Sequence, residues 1–258
     1  MDLGLAGRRA LVCASSSGLG LACAAALARE GCEVWINGRQ PERLERARAQ
    51  LSAGGVTVHA VVADLVTAAG RDALLAACPE PDILVNNNAG PPPGELAEWD
   101  HAAWIAALEA NLLAPLLLVR AVLPGMRARH FGRIVNITSA MVKSPRATMA
   151  LSTTARTGLT AFCKAMSFEA AADNVTINNL LPERIDTPRQ QQMAERMMQR
   201  EGIGLDEARR RIAMTIAARR MGRPEEFGDA CAFLCSAQAG FISGQNLQLD
   251  GGSYPGLL

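Results

Sequence analysis

The residues with the clearest chemistry lie near the amino end. Positions 13–31 read CASSSGLGLACAAALAREG, a turn of small residues that follows the apolar run RALVCA and opens into an alanine-rich stretch. Ala14, Ser15 and Ser17 allow a tight turn. Gly18, Leu19 and Gly20 stand where a helix begins, so backbone N–H groups and the positive helix end can receive a pyrophosphate. A glycine-rich turn means little alone, but between a strand and a helix it is a much sharper signal. After the second apolar run comes NGRQPERL, 37–44. Where an acidic residue would bond the ribose 2′-hydroxyl of NAD, Arg39 offers a planar fork suited to a 2′-phosphate. The two stretches together imply a dinucleotide cofactor, NADP(H) in preference to NAD(H).

These residues need a scaffold, and the hydropathy pattern predicts one. Short β-branched runs at 9–14, 33–37, 56–62, 82–87, 133–138, 175–181 and 246–250 alternate with Ala- and Leu-rich helical stretches. That is the pattern of repeated βαβ units. Runs such as DILV and IVNI are apolar throughout, as strands buried on both faces are. The expected fold is α/β: a single Rossmann domain over 1–258 with a doubly wound, seven-stranded parallel sheet and helices on both faces. Two segments depart from this rhythm. PPPG at 91–94 reads as a rigid loop beyond the fourth strand. Residues 189–223, with nine arginines and five methionines, read as a helical insertion able to lie over a substrate. Its methionines would either adapt to apolar ligands or form an ordinary core beneath a solvated arginine face.

Composition narrows the partners. A formal charge of +1 argues against nucleic acid, which calls for a clustered basic face. Apolar stretches such as LLAPLLLV, 112–119, are too short for a membrane span. No cysteines and histidines share zinc-ligand spacing, so no metal is expected. Seven scattered cysteines in apolar surroundings suit a reducing, cytoplasmic setting.

Across nearly its whole length the chain resembles the short-chain dehydrogenase/reductase family. CASSSGLG stands where that family has TGxxxGxG, with Ala14 replacing the first glycine. ADL at 63–65 resembles the adenine contact, formed by Asp64 and Leu65. NNAG at 87–90, Asn111 in EANLLAP, Ser139 in IVNITS, LPERIDT at 181–187 and LQLDGG follow in the family's order. The resemblance implies that Asn88, Ala89 and Gly90 line the cofactor, and that Pro182, Ile185 and Thr187 approach its nicotinamide. It also implies that Ser139 binds a substrate carbonyl and that Asn111 holds a water for proton relay. The nearest likeness is to 3-oxoacyl-(acyl-carrier-protein) reductases, with a ketone or acyl thioester as substrate and a homotetramer or homodimer as assembly.

One motif breaks the pattern. The family's catalytic tyrosine and lysine, four residues apart, correspond here to Ser152 and Arg156, and the chain's single tyrosine is Tyr254. A serine hydroxyl is a far weaker acid than a phenol and shorter by a ring. Arg156 retains the charge and can bond the cofactor ribose, but it does not give up a proton. As a purely structural pair, Ser152 would cap a helix and Arg156 would sit in an ion pair. Lys143, on the loop after Ser139, is a candidate replacement acid. Arg129 resembles a carrier-protein contact, whereas Asp173 stands where a second arginine is expected. Two functions remain open: a reductase with an altered Asn111, Ser139, Ser152 and Arg156 site, or an NADP(H)-binding pseudoenzyme that serves as sensor or oligomer partner.

Overall fold

The computed structural model describes residues 1–257. Strands β1 (Arg9–Val12), β2 (Glu33–Gly38), β3 (Val58–Val62), β4 (Ile83–Asn86), β5 (Gly132–Ile137), β6 (Val175–Pro182) and β7 (Asn246–Leu249) pair in parallel in the order β3-β2-β1-β4-β5-β6-β7. The expected seven-stranded doubly wound sheet is therefore present. The order reverses between β1 and β4, which opens a crevice at the carboxyl ends of these strands. Strand ends shift by a residue or two from the hydropathy reading. β1 stops at Val12 because Ala14 turns into the left-handed region at φ 44°.

Helices α1 (Gly18–Arg29), α2 (Pro41–Ser52) and α9 (Pro224–Cys235) cover one sheet face, where Leu27, Leu44 and Phe227 meet Val34, Ile36 and Val85. The opposite face takes α3 (Ala68–Ala77), α5 (Ala114–Ala128) and α6 (Ala150–Ala170) through Leu74, Leu118, Val122 and Leu159. Helix α4 (His101–Leu108) runs into α5 through a π-turn at Glu109–Leu113. Pro115 has no N–H to give the carbonyl of Asn111 four residues back, which loosens the ladder at that turn.

Inside the sheet a chain of amides crosses four strands. Asn86 Nδ2 donates to Asn136 Oδ1 (2.9 Å), Asn136 Nδ2 to Asn179 Oδ1 (3.0 Å), and Asn179 Nδ2 to Asn246 Oδ1 (2.8 Å). Strand register places these four residues side by side. Each link satisfies a polar group that would otherwise lie unbonded in the core.

The insertion forms α7 (Pro188–Glu201) and α8 (Leu205–Met214) around a small core of Ala194, Ala208 and Ile212, packed by Met193, Met197, Met198 and Met221. Its outer arginines pair with acids, among them Arg209 with Asp186 at 2.8 Å and Arg211 with Glu207 at 2.7 Å. Most of its methionines are thus core.

Candidate active site

A cavity of about 570 Å³ opens at the reversal point between β1 and β4. Ala14, Ser17, Leu19, Arg39, Asp64, Leu65, Asn88 and Ala89, all picked out by sequence, line it together. The turn beneath is held from two sides. Asn37 Oδ1 accepts from the Ala14 N–H, Ser15 Oγ donates to Val12 O, and Asn87 Nδ2 donates to Ala14 O. Ser15 is fully buried, so it shapes the turn from below. At Gly20 a Cβ would sit 2.5 Å from Ala14 O and 2.9 Å from Asn87 Nδ2, so only glycine lets helix and turn approach this closely. Helix α1 has no side-chain cap and no acid in its first turn. Its first N–H groups therefore face the cavity region without a competing acceptor, which fits a phosphate.

Arg39 reaches Asp64 at only 3.8 Å, both side chains largely exposed, so the pairing is weak and the guanidinium stays available. Arg43, in the first turn of α2 and four residues after Arg39, lines the same cavity. The sequence reading omitted it, although its spacing from Arg39 was a signal. Gly18 and Thr187 lie together beside α1, where a Cβ on Gly18 would be 3.8 Å from Thr187. Ile185 is buried and bridges to Gly222, while Thr187 Oγ1 donates to Ile185 O. These contacts set the path of the loop after β6.

Ser152 and Arg156 lie on one face of α6 and are buried. Arg156 Nε donates to Ser152 Oγ (3.2 Å), Nη1 to Ile137 O (2.6 Å) and Nη2 to Asn88 O (3.3 Å). Both purely structural expectations for this pair fail. Ser152 lies inside the helix, whose N-cap is Met149, and among the described residues no carboxylate forms a salt bridge with Arg156. Burial, and secondarily Arg189, lowers the Arg156 pKa to about 10, which leaves it a cation at neutral pH. A Cβ on Gly90 would lie 3.4 Å from Arg156 Nη2 and 3.8 Å from Ser152 Oγ, so the Asn88–Gly90 turn rests directly on this pair.

Ser139 lines a second cavity of about 190 Å³ with Pro182, Glu183, Arg189 and Met193. Its Oγ accepts from the Met141 N–H, which leaves the hydroxyl proton for a ligand. Asn111 sits in the π-turn, donates to Ala89 O and Ala107 O at 3.4 Å, and keeps a buried Oδ1 with no protein donor. An acceptor so placed takes its hydrogen from water or ligand. Lys143 turns elsewhere: Nζ donates to Gln248 Oε1 at 3.3 Å and lies 5.3 Å from the Tyr254 ring centre. Arg129 donates to Pro81 O and faces Glu80, and Asp173 pairs with Arg127. Arg129 is thus committed within the fold, so it does not stand out as a docking cation.

A family profile described as enoyl-(acyl carrier protein) reductase matches residues 13–254. Dehydrogenase/reductase SDR family member 4 of Oryctolagus cuniculus is 33% identical over 254 residues, 96% of this chain and 94% of that protein. L-sorbose reductase from Gluconobacter frateurii, solved with NADPH and L-sorbose, superposes with a TM-score of 0.94 at 31% identity over 100% of both chains. A 3-oxoacyl (acyl-carrier-protein) reductase from Agrobacterium tumefaciens with NADP bound gives 0.87 at 31% identity, covering 97% of this chain and 96% of that one. With the seven-stranded parallel sheet, a family profile matched over residues 13–254 and relatives above 30% identity over nearly the whole chain, the chain belongs to the short-chain dehydrogenase/reductase family.

Proposed function

We propose that this protein is an NADP(H)-dependent reductase of a small ketone or 3-oxoacyl compound, working without a phenolic acid. The observation that carries the reading is the cavity in which Arg39, Arg43 and the open end of α1 converge, together with Ser139 lining a second cavity. Bound NADPH would supply the hydride. Ser139 Oγ–H donates to the substrate carbonyl and stabilises the charge that develops there. Arg156 holds the Asn88–Gly90 turn through Asn88 O and places a fixed positive charge behind it. Ser152 Oγ accepts from Arg156 Nε, so its own proton points away from that bond and can pass forward. Water held at Asn111 Oδ1 is the proton source. Positioning carries most of the rate, and the weak acid makes turnover slow.

A second reading is favoured by the bonding of Arg156 itself, whose Nε, Nη1 and Nη2 each donate to the protein, at Ser152 Oγ, Ile137 O and Asn88 O. A guanidinium used this way stabilises a cofactor cradle without chemistry, as in an NADP(H)-binding sensor or oligomer partner. The reducing, cytoplasmic setting belongs to the same proposal, supported by seven free and buried cysteines.

The test is NADPH and NADH oxidation against ketones and 3-oxoacyl thioesters, with calorimetric cofactor binding, for the natural protein and a Ser152→Tyr, Arg156→Lys double variant. The reductase reading expects slow turnover by the natural protein, preference for NADPH, and a kcat roughly 100-fold higher in the variant. Tight NADPH binding with no turnover by the natural protein supports the second reading. Absence of NADP(H) binding sinks both.

A further inference from the structure

The cavity beside Ser139 has an unbalanced lining. Arg146, Arg184 and Arg189 border it, with Glu183 as the single acid. Glu183 is already shared by two of them, Arg184 Nε at 3.2 Å and Arg146 Nη1 at 3.8 Å. Among the described residues Arg189 bonds two carbonyls, Pro91 O at 2.9 Å and Gly90 O at 3.4 Å, and forms no salt bridge. Two of its five N–H groups are thereby used, and the rest of the fork is left to a ligand.

Two further features make this cation unusual. Arg189 is half-buried in the first turn of α7, a turn with no acidic residue and no side-chain cap from Thr187. The positive end of a helix ordinarily gathers carboxylates, and a guanidinium there is unfavourable until an anion joins it. The surrounding charge is of the same sign. Burial, then Arg196, pushes the Arg189 pKa down, and Arg189 in turn lowers that of buried Arg156. Arg156 thus bonds Asn88 O while Arg189 bonds Gly90 O and Pro91 O, so two guanidiniums hold this turn, and among the described residues no carboxylate forms a salt bridge with either.

Resting on the reductase reading of this site, we infer that the substrate is a small oxo acid, whose carbonyl meets Ser139 and whose carboxylate is held by Arg189 with Arg146 alongside. The fork of Arg189 matches a carboxylate in a way a single ammonium does not. A volume of about 190 Å³ takes a short-chain acid and is small for a drug-sized ligand. Selectivity follows from the unanswered charge: a neutral ketone of the same shape leaves Arg189 desolvated without return.

The test is calorimetric binding of 2-oxobutanoate, 3-oxobutanoate and 4-oxopentanoate to the NADP⁺-loaded protein, each beside its methyl ester, with inorganic phosphate as a further anion. At least one acid should bind on the order of 10- to 100-fold more tightly than its ester, a gap that narrows as salt rises. Arg189→Met should abolish the gap and Arg189→Lys should keep part of it. Arg146→Met, on an exposed loop, should reduce it with the fold intact, and exposed Arg200→Met should leave it unchanged. Equal binding of acid and ester, no binding by any acid, or a gap that survives Arg189→Met would overturn the inference. Phosphate binding as tight as the best acid, and equally dependent on Arg189, would overturn the carboxylate assignment. NADPH oxidation is read separately: acid-selective binding without oxidation counts against the reductase reading alone.

Discussion

At the scale of single residues, Ala14 shows how this chain departs from its family while keeping the family's geometry. Ala14 stands in the turn where the family resemblance places a glycine, and its backbone takes the left-handed angle that glycine would allow, φ 44°. An L-residue there carries strain of about 1–2 kcal/mol. It persists because Asn37 and Asn87 bond the Ala14 peptide from both sides. Ala14→Gly should therefore stabilise the protein by about 1 kcal/mol, once the greater chain entropy of unfolded glycine offsets part of the relief. Urea unfolding with an unchanged slope would measure it, and a lower midpoint would show that Ala14 is not strained. The same reasoning separates Ala14 from Gly20, where backbone contact rather than angle demands glycine.

At the scale of elements, what could be read in the sequence was whatever is local. The glycine turn, Arg39 and the apolar strands β4 and β5 each announce themselves within a few neighbouring residues. Ser139 could be found because the run IVNITS that carries it is continuous in the chain. The asparagine chain could not, since Asn86, Asn136, Asn179 and Asn246 are joined only by strand register. Arg189 escaped for a similar reason: among nine arginines of the insertion, only tertiary structure distinguishes the one that lines the cavity beside Ser139 without an acid partner among the described residues. The asparagine chain also makes a prediction about the sheet beneath the site. Asn136 is fully buried and bonds both neighbours, so Asn136→Leu leaves Asn86 Nδ2 and Asn179 Oδ1 without their link. Two buried polar groups losing partners should cost about 2–4 kcal/mol. A loss below about 1 kcal/mol in equilibrium unfolding would mean the remaining amides re-pair.

At the scale of the whole molecule, the helical run 101–128 has more apolar surface than the sheet uses. Its most apolar window has a mean hydropathy of 1.8 and is 28% buried, and by length and composition alone it could cross a membrane. Leu118, Val119, Val122 and Met126 face the core. At the edge of that core, partly buried Leu123 of α5 and Phe162 and Met166 of α6 border, with Leu116 and Pro124, a shallow groove of about 450 Å³, and Phe168 of α6 is 72% exposed. An apolar face of this kind on paired helices calls for a partner, and we propose a second copy of this chain. A two-fold axis would set α5 and α6 against themselves, so that each copy supplies the same surface and the contact closes. The groove is edged by Arg120 and Arg127, which would remain at a polar rim while the aliphatic centre is buried. Sedimentation equilibrium should then give a dimer or tetramer for the natural protein. Leu123→Glu, which buries a carboxylate at that centre, should shift it to monomer without loss of NADPH binding, because the cofactor cavity lies at the strand ends and shares no lining residue with the groove. A natural protein that sediments as a monomer, or an assembly that survives Leu123→Glu, would place the contact elsewhere and leave this face without the proposed partner.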